Sequence, residues 1–126
     1  RRRSVVFVVS DFREDPATYA QALRRLGIGH DLNLVRIEPA GFDPLPGEGL
    51  VAFVDAETGA EFELDVSDKS LRQALGRRET EIVNNLEREA RKSRATLLRV
   101  PTGADPVDAV RKLVRKRALV HGGILP

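Results

Sequence analysis

Residues 1–12 read RRRSVVFVVSDF, and the run Val5–Val9 inside them decides the fold class. Five apolar residues without polar alternation, four of them valine, are the pattern of a strand covered on both faces, as in a parallel sheet. Parallel strands need crossovers, and the next residues supply one. Asp15-Pro16 combines an N-cap acid with proline in the first helical turn. Tyr19, Ala22, Leu23 and Leu26 then share one helix face, and Gly27 stands where a C-terminal cap is expected. Leu32–Ile37 follows as a second strand, so the opening predicts strand, helix, strand with a right-handed parallel crossover.

Beyond it, residues 39–49 (PAGFDPLPGEG) form a loop rich in proline and glycine. The runs LVAFVD and AEFELDV flank Glu57-Thr58-Gly59, which predicts a β-hairpin. Glu61, Glu63 and Asp65 would face water, opposite Phe62, Leu64 and Val66. Asp68 to about Arg94 reads as an amphipathic helix with Leu71, Leu75, Ile82, Leu86 and Ala90 on its stripe and a weak point at Gly76. Ala95–Val100 is a third core strand stopped by Pro101, and Asp105-Pro106 starts a last helix with Val107, Val110, Leu113 and Val114 on its buried side. The fold class is therefore α/β, a three-layer sandwich with a mostly parallel sheet plus a β-hairpin. Residues 1–120 are expected to form a single domain and 121–126 a flexible tail.

The bulk numbers narrow the function classes. With 126 residues, 41% hydrophobic and 32% charged, the chain suits one globular domain with a real core. Its longest apolar run is five residues, against about 20 for a membrane span. Cysteine is absent, which excludes disulfides, thiol nucleophiles and thiolate metal sites, and two histidines make a histidine-rich zinc site a poor expectation. Methionine is absent too, so Arg1 is expected to be an internal boundary of a longer protein. The 21 basic residues nearly balance 19 acidic ones. The stretches REARKSR (88–94) and RKLVRKR (111–117) therefore read as solvated helix faces, and no nucleic-acid partner is expected.

Ligands of such sheets collect at the carboxyl ends of the strands. Three exits qualify: Ser10-Asp11, Glu38-Pro39 and Thr102-Gly103. Asp11 is the first candidate, as a ligand to a hard divalent ion or as a turn acceptor, although one carboxylate falls short of the several oxygens such ions need. An alternative is a small hydrolase or phosphoryl-transfer enzyme using Asp11. Against it, SDFRED has no Asp-x-Asp spacing and no GxxxxGK[ST] or GxGxxG loop follows a strand.

RRRSVVFVVSDF, DLNLVRIEP, FVDAETGAEFELD and LLRVPTGADPVDAVRKLVRKR, in this order, resemble the carboxyl-terminal part of the domain of unknown function 58 family. That resemblance implies the second half of a von Willebrand factor A-like domain and an association with MoxR-type AAA+ ATPases. It also implies a metal-ion-dependent adhesion site, built from an Asp-x-Ser-x-Ser loop, a threonine and a further aspartate. Only the last matches, at Asp11, and no Asp-x-Ser-x-Ser occurs here. Mg2+ or Mn2+ is thus implied for the intact protein and not for this stretch alone, with Ser10 and Thr102 lining the rim of the partner site. The expected role is a non-enzymatic protein-interaction module whose partner is the ATPase or another protein. A cytoplasmic location is expected, with any membrane anchor of the intact protein upstream. If the domain's first strands lie upstream, the edge of strand 5–9 lacks its neighbour, and self-association through that edge is expected.

Overall fold

A computed structural model describes residues 2–41, 45 and 47–121. The chain forms two compact units, 1–40 with 82–126 and 41–81. In the first unit lie β1 (Val5–Ser10), α1 (Pro16–Gly29), β2 (Asp31–Glu38), β5 (Thr96–Pro101) and α3 (Pro106–His121). The second holds β3 (Leu50–Val54) and β4 (Glu61–Asp65). Helix α2 (Lys69–Lys92) begins in the second unit and ends in the first. The expected α/β class is what the chain adopts. Of the expected tail at 121–126, all but the helical His121 lies outside the described residues, as do positions 42–44 and 46 of the loop.

The first unit is built on a three-stranded sheet of order β1-β2-β5, parallel throughout. Alternation on β2 sends Leu32, Leu34 and Arg36 to one face and Asn33, Val35 and Ile37 to the other. On the first face, Leu32 and Leu34 meet Leu23 of α1, Leu86 and Ala90 of α2, Leu97 of β5 and Phe12. These side chains are buried, and each fully buried leucine is worth about 1.5–3 kcal/mol. Helix α3 lies on the opposite face, where Leu113 is buried and the groove beside it is lined by Val35, Ile37, Leu98 and Val100.

Three local expectations need correction. The run Val5–Val9 is not covered on both faces: Val6 and Val8 pack against the core, but Val5, Phe7 and Val9 are 46%, 58% and 62% exposed. The cause is the placement of α3, which packs over β5 and leaves the outer row of β1 uncovered among the described residues. For the same reason the buried side of α3 shrinks to Leu113, while Val107, Val110 and Val114 stay exposed.

Gly27 is no cap either. Helix α1 continues to Gly29, and the His30 backbone N–H closes it on the Leu26 carbonyl. What Gly27 provides is proximity, because a β-carbon built there would stand 1.8 Å from the Ser93 carbonyl oxygen. The α1 backbone thus lies directly against the end of α2. The helix starts were read correctly. Asp15 accepts from the Ala17 N–H at 2.8 Å, and Asp105 accepts from the Val107 N–H at 2.8 Å. Gly76 does not break α2, which runs through it.

In the second unit, β3 and β4 form the expected antiparallel hairpin, with Val54 opposite Glu61 and Phe53 opposite Phe62. The two rings stack at 5.8 Å. Its turn is set by Asp55, whose carboxylate accepts from the N–H groups of Thr58 and Glu57 and is held below its ordinary pKa by them, and by Gly59 at φ 73°. Arg72 ties the unit together by donating to the carbonyls of Val66, Leu45 and Gly47.

The close approach at Gly27 yields a paired prediction. Gly27→Ala should destabilise the fold by about 2 kcal/mol or more, because backbone opposes the new methyl. Gly29→Ala, with open space around it, should be neutral or stabilising within about 1 kcal/mol in urea melts. A second prediction concerns Glu89 of α2, which is buried and held by Arg24 at 2.6 Å and Lys92 at 3.2 Å. Burial alone would push its carboxyl up, but the bonds and charges of Arg24 and Lys92 outweigh it and hold it below the ordinary 4.5. A depressed folded value stabilises fully above the unfolded pKa and is lost as pH falls through the folded one. Stability of the Glu89→Gln variant should therefore fall less steeply below pH 4.5 than that of the parent.

Candidate functional site

The carboxyl ends of β1, β2 and β5 form the rim on which the sequence placed its candidates. Beyond β1 the chain makes a tight, oriented corner. The Ser10 Oγ accepts from the Phe12 N–H at 3.0 Å, and an Asp11 carboxylate oxygen accepts from the Arg13 N–H at 3.4 Å. Phe12 adopts φ 52°, a left-handed conformation rare for a bulky residue. In exchange its ring enters the core, 5% exposed, edge-on to Tyr19 with centroids 5.6 Å apart. Turning Phe12 inward leaves Asp11 exposed on the rim.

The corner is held from below by Arg36. Its side chain is 1% exposed, and its Nε donates to the Asp11 carbonyl at 3.2 Å. Its Nη1 pairs with Glu38 on the same strand face. Arg99 stands beside Arg36 in the β2–β5 register and donates from Nε to the same Glu38 oxygen at 2.9 Å. One carboxylate thus lies between two guanidiniums, one buried and one half-exposed. Thr102 completes the third exit: its N–H donates to the Glu38 carbonyl at 2.7 Å, and its Oγ1 accepts from the Ala40 N–H at 3.0 Å.

The sequence-chosen residues share this rim without converging. Strand β2 lies between β1 and β5, and Ser10 is level with Arg36 whereas Pro101 is level with Glu38. Two strand spacings and two residue steps put Ser10 and Pro101 about 12 Å apart. Thr102 therefore belongs to a different part of the rim from Ser10 and Asp11. Among the described residues, no three His, Cys, Asp or Glu side chains gather into a group that could hold a metal ion. The donors near Asp11 do not by themselves fit Mg2+ or Mn2+, which take about six oxygens.

Sequence reasoning passed over Arg36, Glu38 and Arg99. The signal was present in DLNLVRIE: counting in twos from Leu32 and Leu34 lands on Arg36, a charge at an inward position of a buried strand. Such a charge requires a partner.

Removal of that partner gives a direct test. Glu38→Ala should cost about 3 kcal/mol or more in denaturant unfolding, because it leaves the buried Arg36 guanidinium without its carboxylate. Arg99→Ala, at a side chain 48% exposed, should cost about 1 kcal/mol or less.

No curated protein and no solved structure matches this chain. A family profile does, over residues 1–85 of 126, and its description is protein of unknown function DUF58. The matched span contains the strand, the Ser-Asp-Phe corner, the buried arginine with its carboxylate, and the hairpin, in one continuous stretch. By that match the chain belongs to the DUF58 family.

Proposed function

We propose that this chain is part of a non-enzymatic protein-interaction module, a von Willebrand factor A-like domain that works in the cytoplasm with a MoxR-type AAA+ ATPase. The observation that carries the reading is the Ser10–Asp11–Phe12 corner inside the DUF58 match. A buried arginine and a buried aromatic ring fix a solvent-facing carboxylate at a strand's carboxyl end. That suits a surface presenting one oriented acid to a partner better than a catalytic cleft. The rim's other acid, Glu38, is neutralised by Arg36 and Arg99 and is not available as a second catalytic carboxylate. A divalent cation, Mg2+ or Mn2+, belongs to this reading only with donors supplied from outside this chain. No helix among the described residues is long and apolar enough to cross a membrane.

The test is a pull-down of the MoxR-type ATPase by the full-length protein. Asp11→Ala should reduce capture roughly tenfold, the effect of losing one oriented charge pair. Capture unchanged by that substitution would remove Asp11 from the interface. Capture insensitive to a chelator would remove the cation.

A further inference from the structure

We infer that β1 is a self-complementary edge through which two copies of this chain join their sheets antiparallel about a two-fold axis at Phe7. Among the described residues β1 pairs with β2 alone. The Asp31 N–H donates to the Ser4 carbonyl, so residues 4, 6, 8 and 10 turn their backbone groups toward β2. The N–H and C=O groups of Val5, Phe7 and Val9 therefore point to the open edge. Native edges are guarded by charge, proline or a bulge, and none of these interrupts Val5–Val9. What complements a row of free backbone donors and acceptors is another extended strand.

The register selects a second copy as that strand. A two-fold axis normal to the sheet keeps each face on its own side, so paired residue numbers must have an even sum. A sum of 14 places Phe7 against Phe7, Val5 against Val9, and Arg3 against Asp11 of the second copy. Every one of these is an outward-facing position, so all become hydrogen-bonded pairs of the new ladder. The exposed rings and valines cover one another at the centre, and an opposite charge pair closes each end. A shift to 16 would set Arg3 against Arg13 and Val5 against Asp11, and a shift to 12 would set Arg3 against Val9. Only the middle register matches apolar with apolar and basic with acidic. Arg3 has no hydrogen bond or ion pair to another residue among those described, and the Asp11 carboxylate has only its contact to the Arg13 N–H, so both are available.

The association does not rest on the proposed function, since it is read on the full chain alone, with neither ATPase nor metal present. Light scattering after size exclusion should show a mass rising with concentration from 13.9 kDa toward twice that value. Phe7→Lys, at a side chain already 58% exposed, sets two like charges on the axis and should hold the chain monomeric. Arg3→Asp and Asp11→Arg should each weaken the dimer by roughly tenfold in dissociation constant, and the double exchange should restore it. The double exchange also lacks the Asp11 carboxylate, so its recovery cannot come from any role of that residue toward a metal. A mass that stays at 13.9 kDa at the highest concentration reached overturns the inference and leaves the edge to a strand of another protein. A dimer indifferent to the single reversals, or not restored by the exchange, overturns it equally.

Discussion

A guanidinium with 1% of its surface exposed has to find its acceptors inside the protein, and in this chain the arrangement of the strand ends follows from that requirement. Arg36 reaches across to the Asp11 carbonyl and along its own strand to Glu38. The first contact fixes where β1 stops and the chain turns. The second fixes the Glu38 carboxylate, which in turn recruits Arg99 from β5. Three strand exits are thereby set by one side chain. Because Asp11 is held through its backbone, its carboxylate stays exposed while its position is determined.

The same middle strand organises the hydrophobic layers. Both edges of β2 are paired, and most of its side chains are buried or half-buried. It is therefore the strand to which helices on either face must conform. Helix α1 can approach α2 closely only because Gly27 presents hydrogen where any other residue would present carbon. Helix α3, on the opposite face, covers β5 and stops short of β1, so one sheet has a finished side and an unfinished one.

What could be read from the sequence was whatever depends on near neighbours along the chain. Asp15-Pro16 and Asp105-Pro106 start helices through contacts two residues away, and the Asp55–Gly59 turn closes over five residues. Such signals need no knowledge of the tertiary fold. Gly27 was misread because its role is a contact with Ser93, far along the chain and outside any local pattern. Val107, Val110 and Val114 were misread for a related reason: periodicity tells which face could be buried, not whether anything arrives to bury it. At the rim, Ser10, Asp11 and Thr102 were rightly placed at strand ends. The order β1-β2-β5, which separates Thr102 from the other two, is a property of the sheet that no single stretch encodes.

The hairpin unit bears on how the chain reaches this state. Strand β5 must find β2 across more than sixty residues of intervening chain, as Leu34 against Leu97 shows, whereas β1 and β2 are joined by one short crossover. Distant pairings are slow because the entropy of closing the loop is lost before any contact is gained. Residues 41–81 collect into a unit of their own inside that interval. Formation of the hairpin and the first turns of α2 shortens the flexible length that remains to be closed, so β5 docking is the step whose rate should follow hairpin stability. In kinetic terms the insertion acts as a splint for the last strand.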